Sequence, residues 1–324
     1  MRLATVKIEQ SAGGVLLHNI ADAQGHKALS KGYRLTADDV EKLRALGKTN
    51  VLVGMFEDGD VGENDAATRI ANAVAGKNVT LTPVRGGRIN LLASTRGVLE
   101  VNDDALHEIN LLDGITVATA PAHHVVDVKK MVATIKTIGL AIAESVLQQV
   151  ERIARETPNV IAVRELRAGR AAVILTGSDE ARERVEKTFT APIHSRIQEL
   201  GSRVVWNDYV EHDAHAIADA LERAKTQNVD CVILAGETSI MDVNDVTPSG
   251  IVQAGGKIEL YGAPVEPGNL LLLAYAGDLP ILGAPGCVKS RETNVVDLIL
   301  PRLLAGERVQ KRDIVELANG GLLI

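Results

Sequence analysis

Residues 168–305 alternate short apolar runs with longer stretches of helical spacing. Strands are expected at Ala171–Leu175, Arg203–Asn207, Asp230–Leu234, Leu270–Tyr275 and Pro280–Leu282, and helices at about 191–200, 214–226, 248–254 and 288–304. Continuous apolar runs suit strands buried on both faces. Strand–helix alternation predicts an α/β domain: a mainly parallel sheet with helices on both sides, three layers in all. In such sheets ligands bind beyond the carboxyl ends of the strands. The charge run Glu180–Lys187 reads as a solvated face.

The earlier chain has a different rhythm. Residues 1–62 read as a small β-rich region with one helix, opened by Thr36 and Asp39 in near capping-box spacing and stopped at Gly47. Residues 63–167 read as a mixed α+β region. It has helices at Ala66–Ala75, from Asn102, and at Ala141–Glu156, and a turn at Arg85–Arg88. Residues 306–324 form a tail expected to return as a strand.

Composition narrows the classes. The chain has 324 residues, 46% hydrophobic and 24% charged, the balance of a globular protein. Only 2% are aromatic, so cores must be built from Ala, Val, Leu and Ile. A net charge of −7 argues against a nucleic-acid surface. No apolar stretch is long and uninterrupted enough to span a membrane, and Met1–Lys7 is not a signal peptide, so the compartment expected is the cytoplasm. Cys231 and Cys287 lack metal-ligand spacing. Cys231 reads as a buried hydrophobe. His123–His124 and the Glu211-His212-Asp213-x-His215 stretch are read as structural, with Asp213 as a helix cap.

Three loops at the carboxyl ends of strands hold the candidate chemistry. The first is Thr176-Gly177-Ser178-Asp179-Glu180. The second, Ala235-Gly236-Glu237-Thr238-Ser239, is followed by carboxylates at Asp242 and Asp245 and a helix starting at Thr247-Pro248. Backbone N–H groups in such loops can hold an anion, and the two carboxylates can hold a hydrated Mg²⁺ against phosphate oxygens. The alternative for Asp245 is that it only caps the helix. The third loop is Pro285-Gly286-Cys287, with Lys289, Ser290 and Arg291 expected in the first turn of the next helix. Cations there oppose the helix dipole and fit better as anion ligands.

These loops, in this order, resemble the molybdopterin-binding domain shared by the molybdenum-insertion (MoeA-like) and pterin-adenylylation (MogA-like) proteins. Thr176-Gly177-Ser178-Asp179-Glu180 resembles the family's Thr-Gly-Asp-Glu, and Ala235–Ser239 its Gly-Gly-x-Ser/Thr loop. Asp245-Val246-Thr247-Pro248 resembles Asp-x-Thr-Pro. Pro267-Gly268 resembles Lys-Pro-Gly, and Leu282–Gly286 resembles Gly-Leu-Pro-Gly. Ala28–Gly47 resembles a segment of the insertion enzymes. Ala235 replaces a glycine, Glu266 replaces the lysine, Cys287 and Val288 replace an Asn and a Pro, and the Asp-Gly-Tyr-Ala segment has no match. These departures mark a divergent branch.

The resemblance implies a three-layer molybdopterin-binding domain at 168–305, preceded by the β-rich and α+β regions. It implies molybdopterin, or its nucleotide form, as ligand and a role in molybdenum cofactor biosynthesis. Thr176, Gly177, Ser178, Asp179, Gly236, Glu237, Thr238, Ser239, Pro285, Gly286, Lys289 and Ser290 would then bind it, with Asp242 and Asp245 as Mg²⁺ ligands and catalytic groups. Two readings stay open. One is a molybdenumtransferase-like or nucleotidyltransferase-like enzyme. The other is a non-catalytic carrier that delivers the pterin to a nucleotidyltransferase or an apo-molybdoenzyme. A homodimer is expected.

Overall fold

Residues 1–323 are described by a computed structural model, which divides into two units. One comprises residues 1–122 and 126–164, the other 123–125 and the chain from Glu165 onward.

In the first unit, strands Arg2–Lys7 and Asn50–Met55 pair antiparallel, and Val15–Leu16 joins the other side of Asn50–Met55. Helix Asp39–Ala45 packs on a small core of Ile8, Leu16, Leu35, Leu43, Val51 and Val53. Asp39 fixes the helix start by accepting from the Thr36 N–H at 2.9 Å and the Thr36 hydroxyl at 2.7 Å. Further on, a four-stranded antiparallel sheet runs in the order Ile115–Thr119, Met131–Thr137, Arg88–Ala93, Val79–Leu81. Helix Glu63–Val74 buries Ala66, Ile70 and Val74 with that sheet, and helix Glu144–Glu156 adds Leu147, Val150 and Ile153. Arg69 links the two helices through Glu144, at 2.6 and 2.9 Å, and Glu151, at 2.8 Å.

The second unit holds the alternating elements: β1 (Arg170–Thr176), α1 (Arg182–Glu199), β2 (Arg203–Val210), α2 (Ala214–Lys225), β3 (Cys231–Gly236), α3 (Val246–Gln253), β4 (Lys257–Tyr261), β5 (Leu272–Ala276), β6 (Leu279–Gly283) and α4 (Val295–Leu304). The six strands form one sheet in the order β2-β1-β3-β6-β5-β4. The first four are parallel, and β5 and β4 are added antiparallel. Successive residues of β1 face opposite sides. Ala171, Val173 and Leu175 pack under α1 and α4, whereas Ala172 and Ile174 pack under α2 and α3. The three-layer α/β arrangement expected from the apolar runs is the one observed.

Four details of the second unit depart from the sequence-based expectation. β4 is a strand where none is expected. Helix α1 begins at Arg182, not near 191, and runs through Pro192. Val185, Phe189, Ile193 and Ile197 recur every four residues as a buried stripe, and its burial outweighs the backbone donor missing at the proline. Helix α4 begins at Val295, not 288. Asn294 and Asp297 form a capping box there, so Lys289, Ser290 and Arg291 precede the helix rather than occupying its first turn. The tail forms a short helix, Lys311–Val315, and among the described residues touches the main body as a strand only through the bridge Glu266–Leu322. Val309 and Ile314 anchor it in the core.

Candidate functional site

The parallel register fixes which loops meet. Thr176 at the end of β1 lies beside Gly236 at the end of β3 and Val210 at the end of β2, and Leu234 of β3 pairs with Gly283 at the end of β6. The loops after β1, β2, β3 and β6 therefore leave the sheet on one edge. Gly177, Gly236 and Gly286 all lie on it.

Two glycines are there because the loops approach closely. A side chain on Gly236 would run into the Thr176 hydroxyl and carbonyl, and one on Gly177 into the Tyr209 hydroxyl and Glu237. Gly286 comes near the Ser239 hydroxyl, which brings the third loop to the second.

Polar side chains then link one loop to the next. The Ser178 N–H and hydroxyl donate to Glu237 at 3.1 and 3.3 Å, and Arg184 of α1 donates to the same carboxylate at 2.6 Å. The Ser178 N–H, then the Ser178 hydroxyl and Arg184, hold the Glu237 carboxyl below its ordinary pKa. The Tyr209 hydroxyl donates to the Ser178 carbonyl at 2.7 Å. His212 spans two hydroxyls, Thr176 through Nδ1 and Thr238 through Nε2, each at 3.2 Å. Asp179 and Lys289 are exposed.

The loop Glu237–Asp245 is shaped by its own carboxylates. Asp242 accepts from the Asn244 N–H at 2.8 Å and the Asn244 side chain at 3.0 Å. Asp245 uses both oxygens, one on the Met241 N–H at 3.0 Å and one on the Val246 N–H at 2.7 Å, and so caps α3. These two donors, Met241 first, lower its pKa. Tyr261 donates to the Ile240 carbonyl at 2.8 Å. Among the described residues no three His, Cys, Asp or Glu side chains are grouped to hold a metal.

The loop after β6 is fastened by a residue with no signal in the sequence. Arg196 of α1 is buried, bonds Asp297 at 2.8 Å, and donates to the carbonyls of Val288, Ser290 and Glu292 at 2.8, 2.9 and 3.2 Å. Burial raises the pKa of Cys287, and pushes that of the fully buried Cys231 up to about 12. Asp213 caps α2, accepting from the His215 and Ala216 N–H groups. The space left between Thr176, Gly236, Thr238, Ile240, Thr247 and Ala284 is a cavity of about 10 Å³.

Residues 172–305 match the family described as "Probable molybdopterin binding domain", and residues 5–54 match a "Domain of unknown function (DUF8806)". No curated protein matches the chain. Similar solved structures include the molybdopterin biosynthesis enzyme MoaB from Thermus thermophilus, at 15% identity, TM-score 0.31, covering 43% of this chain and 98% of that one. Another is the tungsten cofactor synthesizing protein MoaB from Pyrococcus furiosus, at 15% identity, TM-score 0.27, covering 48% and 98%. A third is CinA, of unknown function, from Thermoplasma acidophilum, at 18% identity, TM-score 0.31, covering 38% and 90%. Among the described residues no helix is long and apolar enough to cross a membrane.

Proposed function

We propose that residues 172–305, which belong to the molybdopterin-binding domain family, hold molybdopterin or its nucleotide-linked form at the carboxyl edge of the six-stranded sheet, and that the protein serves molybdenum cofactor biosynthesis as a carrier of that pterin. The observation that supports this most is the meeting of the loops after β1, β3 and β6 on one edge. There Ser178, Thr238, Ser239 and Lys289 offer hydroxyls and a cation to a phosphate-bearing ligand. The edge is where parallel sheets bind ligands.

The carrier reading is favoured over molybdenum insertion or nucleotidyl transfer by the state of the carboxylates. Both Asp245 oxygens hold backbone N–H groups, and Asp242 folds its own loop through Asn244. These are shaping roles that ask for no metal. Glu266, where the family's turn has lysine, adds no cation. The catalytic reading keeps Asp242 and Asp245 as ligands of a Mg²⁺ that would neutralise phosphate charge. A carrier requires a recipient, and the one that fits is a cofactor nucleotidyltransferase or an apo-molybdoenzyme in the cytoplasm, met by a homodimer of this chain.

The test is purification from a host that makes the pterin, with fluorescence after oxidation and mass spectrometry of the released ligand. Retained pterin, with neither nucleotide turnover nor metal incorporation, is the expected result. Turnover that depends on Mg²⁺ would move the assignment to the catalytic reading, and protein free of pterin would remove both.

A further inference from the structure

The donors best placed to receive an anion at this edge already hold one. The Ser178 N–H, the Ser178 hydroxyl and the Arg184 guanidinium come from the loop after β1 and from α1. All three meet on the carboxylate of Glu237, in the loop after β3. A carboxylate held by a guanidinium and by the two longer Ser178 contacts satisfies the same groups that two oxygens of a phosphate satisfy. The surroundings are narrow on the side of the sheet, while Ser178 and Arg184 stay open to solvent. Gly177 is walled by Tyr209 and Glu237, and the adjoining cavity of about 10 Å³ takes roughly one water and no phosphate. The Glu237 side chain is partly exposed. Its loop continues into exposed residues, with Met241 71% exposed, and a side chain released from Ser178 faces solvent.

We propose that Glu237 is a built-in competitor at the site: its carboxylate sits in the seat of the ligand's phosphate, and a phosphorylated ligand must displace it to bind. The inference rests on the pterin-binding reading and deepens it. A pterin with no phosphate offers Ser178 and Arg184 nothing better than the carboxylate they have. A phosphate monoester does, with close to two negative charges at neutral pH and three acceptor oxygens. Glu237 thereby weakens the binding of phosphorylated pterins and leaves that of their dephosphorylated forms unchanged.

The test compares the full chain with Glu237→Gln, which keeps the side chain's size and removes its charge. The probes are neopterin monophosphate, neopterin and inorganic pyrophosphate, titrated by fluorescence or calorimetry. The expected result is a gain of about tenfold for neopterin monophosphate in the variant, the competition of one charge-assisted contact removed, with neopterin unchanged. Glu237→Ala should show the same pattern, which guards against a fault peculiar to glutamine. A fall for both pterins overturns the proposal and makes Glu237 a contact to the pterin ring. Equal binding of both pterins to both proteins also overturns it while leaving the pterin reading intact. A gain for pyrophosphate with no pterin bound by either protein upholds the seat and removes the pterin reading.

Discussion

At the amino edge of the six-stranded sheet, where β1 and β3 begin, the second unit leaves a groove of about 490 Å³ between Arg167, Asp230, Tyr275, Asp278 and Arg308. At the carboxyl edge the space between the loops is about 10 Å³. Volume alone would place a ligand at the amino edge, since small-molecule pockets run to several hundred Å³. The side chains point the other way. Arg308 stacks on Tyr275 at 4.3 Å and bonds the Gly277 carbonyl and Asp278 at the adjacent turn. Asp230 accepts from the Arg170 N–H at 2.7 Å, and Glu307 neutralises the buried Arg302. Each of these finishes the end of a nearby element. At the carboxyl edge, by contrast, Glu237, His212 and Arg196 join groups from separate elements, and the Ser178 and Thr238 partners of Glu237 and His212 lie in exposed loops where the proposed ligand would compete for them. The comparison teaches that open volume and linkage between loops can point to opposite edges of one sheet, and the proposed function follows the linkage.

The largest effect expected at the carboxyl edge follows loss of Arg196. Its removal takes the guanidinium from Asp297, which keeps the Asn294 N–H, and frees the carbonyls of Val288, Ser290 and Glu292. Arg196→Ala should cost about 3 kcal/mol, the range for breaking a buried ion pair, and should abolish pterin retention because the loop after β6 loses its anchor. Urea denaturation and ligand titration give the two readings. A loss of stability with affinity untouched would remove that loop from the site and leave the carboxyl edge with less to distinguish it.

Next in size is Gly236→Ala. The new methyl group meets the Thr176 hydroxyl and carbonyl where β1 and β3 end side by side. Overpacking of this kind should cost about 2 kcal/mol. It should also weaken binding, because the two loops are forced apart. Unchanged affinity would show that the approach of these loops serves folding alone.

The sheet was legible in the sequence for a physical reason. Strands buried on both faces must be continuously apolar, and Val173, Ile174, Val232, Ile233 and Leu234 are so in any reading. The edge that gathers the loops follows from parallel order. What stayed hidden was of two kinds. Some signals were present and outweighed: Asn294 with Asp297 is a helix-start spacing, and Val185-Phe189-Ile193-Ile197 is a helical stripe that continues through Pro192. β4 escaped because Ile258 and Leu260 alternate with polar residues in a single short edge strand. Other features had no local signal. Arg196 looks like any surface arginine, and the partners of His212 and Glu237 lie tens of residues away. Long-range polar contacts leave no periodicity to read.

Asp245→Asn comes third, and here the structure sharpens what capping alone suggests. Asn caps helices about as well as Asp, but the two Asp245 oxygens serve two different N–H groups. An amide has one oxygen, so the Met241 or Val246 donor is left unmet, at about 1 kcal/mol. The folded carboxyl has a lowered pKa. Its stabilisation is therefore complete above the unfolded value of about 3.9 and is lost as the pH falls through the lowered folded value. The variant and the parent should differ at neutral pH and converge in acid. Denaturant midpoints across that range check this. Under the carrier reading, added Mg²⁺ changes the ligand affinity of neither protein, and a Mg²⁺-dependent difference would restore the metal role to Asp242 and Asp245.

The smallest effect belongs to the amino edge, and the comparison needs it to be small. Arg308→Ala removes a half-exposed guanidinium from the Tyr275 ring and from the Gly277 turn. An exposed cation–π contact is worth about 0.5–1 kcal/mol, so the denaturant midpoint should shift slightly and pterin affinity should not move. Tyr275 gives an independent check that the contact was really broken. Burial pushes its phenol up to about 12, and the charge of Arg308 acts in the opposite sense. Removing that charge should send the phenol higher still, visible as later phenolate absorbance on alkaline titration. If Arg308→Ala shifts the phenol and leaves binding intact, the larger groove is an end of the fold. If binding falls with it, the ligand sits at the amino edge and the assignment of the two edges must be reversed.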